Sequence, residues 1–211
     1  MSDLASHMEE FEDPLPSAED GSLIVDISVE CDGWDSGIPG AVDACVETLH
    51  AALDFIGSDL PAIEVSVALV DDDAIRDLNR RFRGMDKPTN VLSFPALDPD
   101  ELEGLRRGER PAWLPPGTEV TAGDLALALQ TLLREAEAQG KAPIDHFRHL
   151  VVHGFLHLFG YDHVDDDEAE IMERLEARIL ARLGVPDPYD PERQAPEGHI
   201  DGIATDKQCN D

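Results

Sequence analysis

Apolar and polar residues alternate from Leu23 to Val29, with β-branched side chains prominent, so this stretch predicts a strand. Val42, Cys45, Val46, Leu49, Leu53 and Ile56 recur at helical spacing and predict an amphipathic helix from Ala41 to Phe55, after a loop over 33–40. Ile63–Val70 is a second strand. Asp71, Asp72 and Asp73 then suit the start of a short helix, about 72–81, with Ile75 and Leu78 inward and Arg76, Arg80 and Arg81 outward. Residues 84–89 form a turn-rich loop, and Asn90–Phe94 is a short strand stopped by Pro95. Residues 96–121, rich in Pro and Gly, lack a clear period and are expected to be a long surface insertion. Leu125–Leu129 fits a strand or a helix start, and Gln130–Gln139 is helical. A helix over 143–159 buries Phe147, Leu150, Val151, Phe155 and Leu158. The last helix, 165–183, has Met172, Leu175, Ile179 and Leu183 as its inner stripe, and Gly184 and Pro186 stop it.

The resulting order, β-α-β-α-β-β-α-α-α, predicts a single α+β (α/β-like) domain over 22–189. Its small mixed sheet of about four strands is packed by helices, with acidic disordered tails at 1–21 and 190–211.

Composition changes this picture at two points. The net charge is −30, of which residues 1–22 and 187–211 together carry −12. That balance excludes a generic polycationic nucleic-acid binder and favours solubility, but local fields can still receive an anionic substrate. The 3 cysteines, Cys31, Cys45 and Cys209, are far apart and form no CxxC pair, which fits a reducing compartment. The acidic N-terminus has no apolar core of a signal peptide, and no apolar run approaches the ~20 residues of a membrane span. A cytoplasmic location with no membrane partner is expected.

The chemistry concentrates in His153-Gly-Phe-Leu-His157-Leu-Phe-Gly160-Tyr-Asp-His163. Residues 153 and 157 lie one turn apart on one helix face, and Gly160 can take positive φ, end the helix and return His163 toward them. Three imidazoles with a fourth position open form a ligand set typical of catalytic zinc. A straight helix cannot aim three successive turns at one ion, so His149 is expected to be core or support rather than ligand. The spacing also matches the HxxxHxxGxxH frame of certain metalloproteases. Those enzymes carry a Glu base after the first His; here Gly154 stands there, which argues against peptide cleavage.

Several stretches resemble one family. Val151–His163, Leu78–Pro95, Gly123-Asp124-Leu125 and Asp166–Met172 are similar to the signatures of the YbeY family of metal-dependent endoribonucleases. The resemblance implies one Zn2+ per chain held by His153, His157 and His163, and a functionally important arginine at Arg83. It implies a single-strand-specific endoribonuclease in 16S rRNA 3′-end maturation and ribosome quality control. Its partners would be precursor 16S rRNA, the ribosome, and ribosomal or assembly proteins. Arg76, Arg80, Arg81, Arg83 and Lys87 form the densest basic cluster of the chain, and a guanidinium at Arg83 suits phosphate. The alternatives are a hydrolase of a peptide or amide, or a non-catalytic ribosome-assembly factor whose structural zinc takes a fourth protein ligand such as Asp162.

Overall fold

The computed structural model describes residues 23–56, 60–107, 109, 111–115, 117–163 and 165–190. The tail expected at 1–21 lies outside them, as does nearly all of that at 190–211. The described elements run β1 (Leu23–Val29), α1 (Trp34–Gly37), α2 (Ala41–Ile56), β2 (Ile63–Val70), α3 (Asp72–Arg83), β3 (Val91–Pro95), α4 (Pro99–Arg106), β4 (Val120–Ala128), α5 (Leu129–Ala138), α6 (Pro143–Leu158) and α7 (Asp166–Arg182). The sheet is mixed and four-stranded, in the order β1-β2-β4-β3. Strands β1, β2 and β4 are parallel, and β3 runs antiparallel to β4 at the edge. This is the α+β architecture expected from the periodicity.

The period of two sorts the sheet's side chains onto two faces. Val65, Val67 and Leu69 of β2 and Leu125 and Leu127 of β4 join the main core, where they meet Leu49, Phe147, Val151, Phe155 and Ile179 from α2, α6 and α7. Leu92, Ala126 and Ala128 point the other way and form a smaller cluster with Ile75 of α3. Helix α6 therefore lies on one face of the sheet and α3 on the other. No helix among the described residues is long and apolar enough to cross a membrane.

Three expectations change. The stretch 33–40 contains the short helix α1, whose Trp34 is buried, donates Nε1–H to the Val70 carbonyl at 3.2 Å, and packs edge-on against Phe147. The supposed insertion 96–121 contains α4. Asp98 and Glu101 form a reciprocal capping box around Pro99, and Leu102 and Leu105 are buried in the main core. Helix α3 runs past 81 to Arg83, because Gly84 takes φ 69° and closes it there. The ambiguous Leu125–Leu129 segment resolves as strand up to Ala128, paired on both sides by β2 and β3.

One glycine holds the β3–β4 edge together. The β2–β4 register shifts between Glu64 and Val65, and Gly123 follows that bulge at φ +140°. A Cβ there would stand 2.2 Å from the Phe94 carbonyl oxygen and 3.1 Å from a Leu158 methyl. Gly123→Ala is therefore expected to destabilise the fold by at least ~2 kcal/mol through strain and loss of edge pairing. A fall in the denaturant midpoint checks this. The same contacts put the end of β3 beside the end of α6.

Candidate metal centre

Helix α6 presents His153 and His157 from one face. The chain then leaves the helix through Gly160 at φ 78°, and His163 returns over them. The ring centroids of His153 and His157 are 4.6 Å apart, and that of His163 lies 5.5 Å and 5.1 Å from them. One nitrogen from each histidine lies within 4.8 Å of the other two, so the three could hold one metal ion. Asp162 does not complete a fourth position by packing inward. Its Oδ1 accepts the His163 backbone N–H at 2.8 Å.

The feature that the sequence reading passed over is Glu176. This α7 residue is fully buried, at 0% exposure. Its Oε1 accepts from His153 Nδ1 at 2.8 Å, and its Oε2 accepts from His149 Nε2 at 2.8 Å and from the Tyr189 hydroxyl. Burial pushes the carboxyl up, but the hydrogen bonds from His149 and His153 outweigh it and hold the group down at about 2. Burial, followed by the Glu176 charge, drives the Tyr189 phenol up. With Nδ1 donating to Glu176, His153 carries its lone pair on Nε2, and that atom faces His157 Nε2 at 3.2 Å. Burial first, then the neighbouring His153 and His163, hold the His157 pKa down, so its imidazole is neutral at pH 7. Neutral imidazoles with one nitrogen fixed by a carboxylate are the chemistry a zinc-type cation requires. His149, expected as support rather than ligand, is tied to Glu176 instead.

A signal for Glu176 was present. The buried stripe of α7 is Met172, Glu176, Ile179 and Leu180, at helical spacing, and an acid on a buried stripe needs a partner.

A cleft of about 330 Å3 opens beside His153, with Asn90, Glu135, His146, His149 and Tyr189 among its walls. Glu135 Oε2 accepts from Asn90 Nδ2 at 2.9 Å and from His146 Nε2 at 3.0 Å. Burial lowers the His146 pKa, with Glu135 opposing in part. In the unfolded chain His146 protonates near ~6.5. Below that pH the unfolded state takes the proton first, so His146 contributes stability that is full above ~6.5 and lost as pH falls toward its lowered folded value. Chelated protein is expected to lose stability between pH 7.5 and pH 5.5, with a shallower loss in His146→Gln, as read from denaturant midpoints.

Gly154 has a structural reason of its own. A Cβ there would meet Leu125 Cδ2 at 3.0 Å, Ser93 Oγ at 3.2 Å and Val91 Cγ2 at 3.2 Å. The position abuts the sheet and not the histidine cluster, so no glutamate base fits. Ser93 Oγ donates to the Gly154 carbonyl at 3.1 Å and ties β3 to α6. Arg83, expected in a loop, is instead the last residue of α3, and it is exposed. It belongs to the opposite face of the sheet and is not part of the histidine cluster. Phe82 of the same turn reaches the end of β3, with its ring 5.0 Å from that of Phe94. Exposed pairs occupy two neighbours, Arg76 with Asp86 and Arg80 with Asp77.

The family model described as Endoribonuclease YbeY matches residues 32–184. A protein named Endoribonuclease YbeY from Azorhizobium caulinodans is 48% identical over 166 residues, covering 78% of this chain and 95% of the relative. Its namesake from Paracoccus denitrificans is 46% identical over 178 residues, covering 84% and 96%. That from Paramagnetospirillum magneticum is 44% identical over 170 residues, covering 80% and 96%.

Proposed function

Because this chain belongs to the Endoribonuclease YbeY family, we propose that it is a single-strand-specific, zinc-dependent endoribonuclease acting in 16S rRNA 3′-end maturation and ribosome quality control. The catalytic unit is the domain over 22–189, and the enzyme works in the cytoplasm, where precursor rRNA and the ribosome are its partners. The observation that carries the metal dependence is the convergence of His153, His157 and His163 within 4.8 Å, with His153 fixed by Glu176. When bound there, zinc supplies Lewis acidity and lowers the pKa of water toward ~7.

The chain's own residues supply positioning and charge. Glu176 keeps the His153 Nε2 lone pair directed at the centre by accepting the Nδ1–H hydrogen bond. Arg83 binds a phosphate of the substrate. It is exposed at the end of α3, and its side chain makes no hydrogen bond or ion pair among the described residues. A guanidinium can hold two phosphoryl oxygens at once and offset charge that grows there during cleavage. Gly154 places backbone where a peptide hydrolase would place its base, which disfavours that alternative.

Mapping 16S rRNA 3′ ends in cells whose sole copy carries His157→Ala tests the cellular role. Extended, unprocessed 3′ ends are expected, and normal ends would overturn it.

A further inference from the structure

Phe82 is the most exposed large apolar residue among the described residues, at 66%. A phenyl ring in water needs a reason, and three observations supply one. First, the ring is held in place. It packs edge-on against Phe94, at 5.0 Å and 64° between planes, while Gly84 turns the chain away immediately after α3.

Second, Phe82 is flanked along the chain by cations that no acid neutralises. Arg81, Arg83 and Lys87 are exposed, and among the described residues their side chains make no ion pair. This stands out in a chain of net charge −30, where Arg76, Arg80 and Arg107 are all paired with acids. Third, the ring packs on edge strand β3, whose other face is tied to the helix that carries His153 and His157. Phe94 follows Ser93, which is bonded to Gly154 beside His153. Gly123 fits between the Phe94 carbonyl and Leu158, the residue after His157.

We propose that Phe82, braced by Phe94 and flanked by Arg81, Arg83 and Lys87, is a stacking platform for one base of a single-stranded RNA. The strand would cross the β3 edge from this platform to the histidine cluster. The chemistry suits an RNA strand because every base has a π-face, and successive phosphates meet the unpaired cations whatever the sequence. This inference rests on the nuclease reading above and adds to it the place where the substrate lies.

The test uses the full-length protein and a short unstructured RNA oligonucleotide with 2-aminopurine at successive positions. In the wild type one position is expected to be quenched, with the quenching lost in Phe82→Ala and Phe82→Leu and kept in Phe82→Trp. Affinity is expected to fall about tenfold in Phe82→Ala, the lower part of the range for losing one stacked base. The slope of log affinity against log salt stays unchanged in Phe82→Ala and decreases by about 0.7 in Arg81→Gln, which removes one phosphate contact. Metal content, untouched by Phe82, reports on folding of each variant. Wild-type affinity in both Phe82→Ala and Phe82→Leu overturns the platform, as does a dimer in sedimentation that Phe82→Ala dissolves without altering RNA affinity. If the wild type neither binds nor cleaves RNA, the nuclease reading fails; if it does both while the Phe82 variants match it, only the platform fails.

Discussion

Replacing His157 with Ala is expected to abolish metal binding and RNA cleavage together while leaving the fold intact. His157 is half-buried at the end of α6, and its Nε2 lies 3.2 Å from that of His153. Removing it leaves His153 and the exposed His163, two ligands on opposite sides of a turn, too few to hold a zinc-type ion against water. The affinity loss should exceed the ~100-fold that accompanies loss of a supporting partner alone. Metal content after dialysis and cleavage of a single-stranded RNA give the two readouts, and an unchanged circular dichroism spectrum shows that the helix persists. Metal retained at full stoichiometry in this variant would contradict the ligand assignment.

The second large effect is expected at Glu176. Its carboxylate accepts from His149, His153 and Tyr189 at once, in a site with no exposure to water. Glu176→Ala removes all three acceptor contacts and leaves buried donors unmatched, at a cost of about 3–5 kcal/mol in stability. Glu176→Gln keeps the volume but offers one acceptor oxygen in place of two, so His153 loses its fixed tautomer. Metal affinity in that variant is expected to drop by about 10–100-fold. Chelator competition measures the affinity, and urea denaturation of the chelated protein measures the stability. The two readouts separate support of the metal from support of the fold. Affinity equal to that of the wild type in Glu176→Gln would assign Glu176 to packing alone.

The difference between the histidines and Glu176 marks what was legible from sequence. His153, His157 and His163 could be found because helical spacing and Gly160 bring them together within one short stretch. Their geometry is local, and local geometry follows from the order of residues. Glu176 meets His153 across 23 positions, through the packing of α7 on α6, and it is one of 46 acidic residues. Its place on an apolar stripe was the available sign. The strands followed from their alternation, and β4 was ambiguous because, paired on both sides, it is buried almost throughout its last half. Helix α4 was hidden by the prolines and glycines around it, although Asp98-Pro99-Asp100-Glu101 spells its capping box. Arg83 was expected in a loop and instead ends α3, because the helix stop belongs to Gly84 and not to the arginines before it.

The central claim is that cleavage of RNA depends on a metal held by these three histidines. The most direct measurement follows cleavage of one single-stranded RNA by full-length protein as metal is stripped with chelator and then restored with zinc, with His157→Ala in parallel. Cleavage should vanish on stripping, return as one zinc per chain is added back, and stay absent in the variant at every zinc concentration near stoichiometry. Full-rate cleavage by stripped protein, or by His157→Ala, would contradict the account.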